Sequence, residues 1–423
     1  MSEVTNPLRE EVDRLCSVSR PAAAAVAAAS DSDRVAALEA CAQAIEADVS
    51  SILSANAKDL SEAAANHLSS AMVDRLKLDE RRLASIVADL RAVASQPDPV
   101  GRIREQRLIS QGLRLEKVSV PLGVIAVIFE SRPNVTVDCA ALCLRSGNGC
   151  ILRGGREAVH SNRALVTALR KGLANSSLPV DSVQLVMEQD RALVPLLLAR
   201  DDAIDLVIPR GGEGLIRSVC EVSRIPVVKH DKGVCSLYVH READLAMAIE
   251  LILNAKVQRP GVCNAIENLL IDAAILESHL PAIAKALLAA GVELRCDERC
   301  LPMVPEAKPA SEEDWGTEYL DLILSIACVD DVDDAIVFTN HHGSHHSDGI
   351  ITGNAMIAER YLRLVDSAAV YHNASTRFTD GGQFGLGAEV GISTNRLHAR
   401  GPMGIEELCT YKFVVRGEGQ ART

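Results

Sequence analysis

The residue whose surroundings best suit chemistry is Cys263, in the stretch N-A-K-V-Q-R-P-G-V-C-N-A-I-E-N from Asn254 to Asn268. Upstream, Leu245, Ile249, Ile252 and Leu253 recur at helical spacing, and Pro260 with Gly261 then forces an irregular turn. A thiol on such a turn can face a cleft as a nucleophile. Backbone N–H groups there lower its pKa and stabilise an oxyanion on whatever it attacks. The structural alternative is a small buried hydrophobe, the commonest fate of a cysteine outside a disulfide.

Two arginine-glycine turns suit an anion. The strand expected at Ile204 to Ile208 runs into Pro209-Arg210-Gly211-Gly212-Glu213-Gly214 and then an apolar helix. Glycines there let the backbone approach a pyrophosphate, and the helix N-terminus supplies N–H groups and positive potential. The spacing is not G-x-G-x-x-G, so a plain tight turn accounts for it equally well. Arg153 and Arg156 follow the strand Gly149 to Leu152 in R-G-G-R, where a dinucleotide's adenosine ribose is read. Guanidiniums at that place favour a 2′-phosphate and hence NADPH, with surface solvation as the ordinary alternative.

His341, His342, His345 and His346 form a cluster that would suit a metal if helical, but Gly343 and Ser344 argue for a hydrogen-bonding loop and no metal. The run Gly385-x-Gly387-x-x-x-Gly391 follows no strand of a βαβ unit and reads as a glycine-rich substrate or interface loop.

Elements must position these groups. Asn6 to about Ser95 reads as successive amphipathic helices, and Arg107 to Ile109 with Leu113 to Val118 patterns as a hairpin around Gly112. Strands then alternate with helices: Val124–Phe129, helix Val137–Ser146, Gly149–Leu152, helix Asn162–Leu173, Ser182–Val186, helix Ala192–Ala199, Ile204–Ile208. A second run after Cys263 places strands at Asn268–Ile271, Leu322–Cys328, Gly349–Ile351 and Ala368–Tyr371, with helices Leu280–Ala290, Val332–Thr339 and Met356–Leu364 between them. That rhythm predicts parallel sheets covered by helices, one on each side of the thiol in sequence. Leu408 to Val415 is a late strand with no local partner, an edge of the kind that pairs with another subunit.

Composition narrows the class. At 423 residues the chain exceeds one compact core. A net charge of -13, with no long basic block, argues against nucleic acid. The 12 cysteines lack C-x-x-C pairs and imply a reducing, cytoplasmic setting, and no signal peptide or membrane span is expected.

Four stretches together resemble the aldehyde dehydrogenase superfamily, and within it the branch of acyl-phosphate reductases acting on L-glutamyl 5-phosphate. They are V-P-L-G-V-I-A-V-I-F-E-S-R-P-N-V-T (Val120 to Thr136), N-A-K-V-Q-R-P-G-V-C-N (Asn254 to Asn264), G-S-H-H-S-D-G-I-I-T (Gly343 to Thr352) and L-H-A-R-G-P-M-G-I-E-E-L (Leu397 to Leu408). The resemblance implies an α/β, aldehyde-dehydrogenase-like fold with two Rossmann-like parallel-sheet domains and a small β oligomerisation arm. It implies an NADP-binding domain over 1–104 and 121–240, a catalytic domain over 241–380, and an arm over 105–120 and 395–423. Cys263 matches the catalytic thiol, and Asn134 the asparagine that joins the cysteine N–H in the oxyanion hole. Arg153, Arg156, Arg210, Gly211, Gly212, Glu213 and His230 fall on the cofactor side, with Glu318 matched to a nicotinamide-ribose carboxylate.

Where hydrolytic relatives carry a glutamate base, Val228-Lys229-His230-Asp231-Lys232-Gly233 has none. The resemblance implies NADPH-dependent reduction of L-glutamyl 5-phosphate to L-glutamate 5-semialdehyde, in proline biosynthesis, through a cysteine thioester, and the missing water-activating base supports that reading over a hydrolytic one. Lys256 and Arg259 are the nearest cations in sequence for the phosphate, and Gln383 is assigned to the amino-acid end by position. A homo-oligomer fed by a separate glutamate 5-kinase is expected, since no kinase domain is present. The alternatives are another NAD(P)-dependent aldehyde dehydrogenase or acyl reductase of the superfamily, a cysteine hydrolase recruiting His230 or His240, and a non-catalytic binding protein.

Overall fold

The computed structural model describes residues 7–229 and 232–422. They divide into two compact units, one of residues 7–229, 385–391 and 403–422, the other of residues 232–384 and 392–402.

The first unit opens with α1 (Pro7–Ala28), α2 (Asp31–Ala47), α3 (Val49–Ala65), α4 (Ser70–Leu76) and α5 (Glu80–Ala94). The hairpin β1 (Ile103–Leu108) and β2 (Arg114–Pro121) follows. Then come β3 (Val124–Phe129), α6 (Asn134–Arg145), β4 (Gly149–Arg153), α7 (Val159–Ala174), β5 (Val183–Leu185), α8 (Leu193–Leu198), β6 (Leu206–Arg210) and α9 (Glu213–Val222). The sheet order is β5-β4-β3-β6, all parallel. V-I-A-V-I-F of β3 is buried along its whole length, as expected for a parallel strand covered on both faces. On one face Val12, Leu15, Leu193 and Leu197 from α1 and α8 pack on Val124, Ala126 and Ile128. The chain passes from β3 outward to β5 and then returns to the far side of β3. The order therefore reverses between β3 and β6, the kind of crevice where open α/β sheets take ligands. Helix α6 starts at Asn134, three residues before the position suggested by sequence, because Pro133 at its N-cap already holds φ at −58°.

The second unit contains β7 (Cys235–Val239), α10 (Leu245–Val257), β8 (Ile266–Asp272), α11 (Leu276–Ala289), β9 (Glu293–Cys296), β10 (Lys308–Pro309) and β11 (Ile323–Val329). It continues with α12 (Val332–His342), β12 (Ser347–Ile351), α13 (Ala355–Leu364) and β13 (Ala369–His372), then the short pair β14 (Ile392–Ser393) and β15 (Gly401–Pro402). Seven strands form one parallel sheet in the order β10-β9-β11-β8-β7-β12-β13. Alternate residues serve opposite faces. Leu237, Leu269 and Ile326 meet α10 and α11, while Tyr238, Leu270 and Ile350 meet α12 and α13.

The late strand β16 (Cys409–Arg416) has a partner within the chain: it lies antiparallel to β2, from Cys409↔Pro121 to Arg416↔Arg114, and is itself an outer strand of the sheet β1-β2-β16. Its partner lies nearly 300 residues upstream, beyond the reach of local patterning. No helix among the described residues is long and apolar enough to cross a membrane.

Candidate active site

Asp244 accepts from the Met247 N–H at 2.8 Å to start α10, and after Val257 the chain turns through Pro260 and Gly261 into β8. Cys263 lies in this turn, half-buried, at the N-terminal edge of the sheet. Backbone packs tightly beneath it. A Cβ added to Gly233 would lie 2.1 Å from the Cys263 carbonyl oxygen and 2.5 Å from its Cα, so only glycine fits there. The Cys235 thiol, held protonated because burial pushes its pKa well up, donates to that same carbonyl at 3.2 Å.

The next residue is the brace. Asn264 is buried; its Nδ2 donates to the Thr379 carbonyl at 2.8 Å, and its own carbonyl accepts from Thr376 Oγ1 at 2.7 Å. Its Oδ1 accepts from Arg377 Nη1, while Arg377 Nε donates to Gln258 Oε1 at 2.8 Å. The 3₁₀ turn Thr376–Phe378 is thereby fastened across the nucleophile turn. Behind it runs a buried polar chain: Tyr371 OH to Thr379 Oγ1 at 2.6 Å, Ser347 Oγ to Thr379 Oγ1 at 2.7 Å, and Ser347 Oγ to His346 Nδ1 at 2.8 Å.

Lys256 is not the anion ligand that its nearness in sequence suggested. It is fully buried and ion-paired with Glu267 at 2.5 Å. Burial pushes Glu267 up to about 7 and Lys256 down, and their mutual attraction opposes both shifts. A signal was present, because Ala248, Ile252 and Lys256 lie four apart on the buried stripe of α10. Arg259 is exposed. Arg377, more than a hundred residues away in sequence, is instead the guanidinium hydrogen-bonded to both Gln258 and Asn264 on either side of Cys263.

Among the described residues, His240 does not stand where a cysteine hydrolase would need its base. His240 follows the C-terminal end of β7, whereas Cys263 precedes β8, whose Ile266 pairs with Cys235 at the start of β7. Five residues of strand, roughly 13 Å, separate the two ends. The ring of His240 is engaged by Thr352 Oγ1 at 2.9 Å. His341 and His342 belong to the last turn of α12 rather than a loop, and His346 is buried behind Cys235. His230, together with Asp231, lies outside the described residues.

In the first unit the β3/β6 crevice carries the cofactor candidates. Arg153 ends β4 half-buried; Nη2 meets the Gln189 carbonyl at 3.4 Å, but its buried Nε has no hydrogen-bond partner. Gly154 and Gly155 are explained by packing, since a Cβ would strike Asn162 at 2.0 Å and Glu157 at 2.2 Å respectively. Arg156 is exposed. Gly212 is the N-cap of α9 with no side-chain cap, and open space surrounds it and Gly214. Its N–H donates to Glu130 Oε2 at 3.0 Å, and Glu213 ion-pairs with Arg217 at 2.8 Å. A Cβ on Gly211 would meet the Glu130 carboxylate at 2.4 Å. Arg210 lies against Gly391, whose φ of +147° is a glycine conformation. Asn134 Nδ2 donates to Asp138 Oδ2 at 2.8 Å one turn along α6. A helix N-terminus whose N-cap is a glycine, open space about Gly212 and Gly214, and a guanidinium with an orphaned N–H fit an anionic dinucleotide.

In the second unit Glu318 is half-buried within electrostatic range of Glu267. Gln383 is exposed, with its N–H on Asp380 Oδ1 at 3.2 Å.

Parallel α/β units that carry a braced thiol and a dinucleotide-type crevice define a dehydrogenase acting through a covalent thiol. A family model described as the aldehyde dehydrogenase family matches residues 1–308. The protein named gamma-glutamyl phosphate reductase in Nautilia profundicola is 53% identical over 385 residues, 91% of this chain and 93% of its own. That of Xanthomonas axonopodis is 52% identical over 403 residues, covering 95% and 97%. The crystal structure of gamma-glutamyl phosphate reductase from Thermotoga maritima superposes with TM-score 0.96 at 43% identity, over 98% of this chain and 100% of that one. The chain belongs to the aldehyde dehydrogenase family and, within it, to the gamma-glutamyl phosphate reductases. Membership brings a nicotinamide cofactor.

Proposed function

We propose that this chain catalyses the NADPH-dependent reduction of L-glutamyl 5-phosphate to L-glutamate 5-semialdehyde and phosphate, a step of proline biosynthesis from glutamate. The Cys263 thiolate attacks the acyl carbon, the bond to the phosphate oxygen breaks, and phosphate leaves with the electron pair. The hydride that reduces the resulting thioester is the chemistry a bound NADPH supplies. The hemithioacetal oxyanion then re-forms the carbonyl, the C–S bond breaks, and the thiolate returns. Asn134 serves as a side-chain donor to the oxyanion in both steps. Arg153, Arg156 and the Arg210–Glu213 turn hold the dinucleotide, with Arg153 on the 2′-phosphate.

The observation that carries this reading is the Cys263 turn, whose carbonyl, neighbour and underlying Gly233 are all fixed by hydrogen bonds or close packing while the thiol stays half-buried. The missing glutamate between Val228 and Gly233 supports a reductase that keeps water from its thioester. A homo-oligomer in the cytoplasm, supplied by a separate glutamate 5-kinase, completes the proposal. The test is the reverse reaction. NADPH formation from the semialdehyde and NADP should require inorganic phosphate or arsenate. Equal rates without either would make the chain a hydrolytic dehydrogenase.

A further inference from the structure

We propose that Arg377, seconded by Arg259, is the phosphate clamp of the thiol site; the inference rests on the reductase reading and names a residue it lacks. The 3₁₀ turn carrying Arg377 is tied to the nucleophile turn by Thr376 Oγ1 on the Asn264 carbonyl at 2.7 Å and by Asn264 Nδ2 on the Thr379 carbonyl at 2.8 Å. The guanidinium has its orientation fixed by two acceptors that flank Cys263 in sequence, Gln258 Oε1 through Nε and Asn264 Oδ1 through Nη1. Both acceptors are neutral amides. They set the direction of the fork without neutralising it.

Charge around the fork is left unbalanced. Among the described residues no carboxylate forms an ion pair with Arg377 or with Arg259. Burial weakens the hold of Arg377 on its charge, and Arg259 repels it; Asp380 and Cys263 are the groups whose negative charge favours it. A half-buried guanidinium with a like-charged neighbour and no paired carboxylate gains from a dianion, and a planar fork meets two phosphate oxygens at once. Lys256, in the last turn of α10, is fully buried and already ion-paired with Glu267. The geometry therefore gives the phosphate leaving group a cationic seat anchored to the same turn as the nucleophile. In the reverse direction the same seat holds inorganic phosphate for attack on the thioester.

The test is the reverse reaction on the full-length protein, with phosphate and semialdehyde varied separately. Arg377→Gln should raise KM for phosphate by about tenfold or more and leave KM for the semialdehyde within about twofold. Arg377→Lys, which keeps a point charge but no fork, should fall between the two. Arg259→Gln should raise the phosphate KM by a smaller factor. If Arg377→Gln fails to fold, the Arg377→Lys and Arg259→Gln values decide alone. An unchanged phosphate KM in every variant overturns the proposal, and so does a rise confined to the semialdehyde KM, which would assign Arg377 to the substrate's carboxylate. A parent enzyme that needs no phosphate refutes the reductase reading itself, an outcome distinct from either.

Discussion

The two chemical regions of this molecule are built on opposite principles. Around Cys263 the backbone of the turn is held by internal bonds: Asn264 makes hydrogen bonds with its side-chain nitrogen, side-chain oxygen and carbonyl, and Cys235 occupies the Cys263 carbonyl. At the C-terminal ends of β4 and β6 the packing is open instead: the buried Nε of Arg153 has no hydrogen-bond partner, and open space surrounds Gly212 and Gly214. The proposed covalent nucleophile must hold one position through attack, reduction and release, and a backbone fixed by internal bonds suits that. The proposed dinucleotide site, filled and emptied each turnover, needs an unspent donor, and the Arg153 Nε is one.

That contrast can be broken by substitution. The largest effect is expected for Cys263→Ser, which should abolish reduction while leaving NADPH affinity nearly unchanged. Turnover within about tenfold of the parent, roughly 1.4 kcal/mol of barrier, would remove the thiol from the mechanism. Lys256→Met leaves Glu267 buried without its partner and should cost about 3–5 kcal/mol in chemical denaturation; adding Glu267→Leu should recover most of it. If the single change proves neutral, the pair is no part of what supports the Cys263 turn. Arg153→Gln should erase about 1.5–3 kcal/mol of NADPH-over-NADH preference in kcat/KM without touching the thiol chemistry. A parent that uses both cofactors equally would sink that assignment before any mutation.

The gentlest lever is pH. Burial pushes the Asp138 carboxyl up to about 7, against the N–H it receives from Asn134, the positive charge of Arg210 lowering it and the negative charge of Asp89 raising it. A carboxyl whose folded pKa lies above its unfolded one takes up protons on folding. Its contribution to stability is therefore full below about 4 and declines as pH rises through about 7. Asp138→Asn should flatten the stability profile across that window. A parent profile with no such decline would mean that Asp138 is already ionised in the acid range.

Much of this was legible in the sequence. The uninterrupted V-I-A-V-I-F run marks the bounds of β3, and Pro260-Gly261 marks the turn that carries Cys263, because both signals are local. Arg377 was not legible, because its acceptors Gln258 and Asn264 lie more than a hundred residues upstream and no local pattern links them. Lys256 is a different case: the four-residue stripe with Ala248 and Ile252 turns its side chain inward, where it is ion-paired with Glu267. Strand β16 shows the same limit, since its pairing with β2 spans most of the chain.

The measurement that tests the central claim most directly is the mass of the acyl-enzyme. Incubated with the semialdehyde and NADP in the absence of phosphate, the protein should accumulate a glutamyl thioester on the peptide containing Cys263, and phosphate should discharge it. A peptide that stays unmodified while NADPH forms, or an adduct on another cysteine, would contradict covalent catalysis by Cys263.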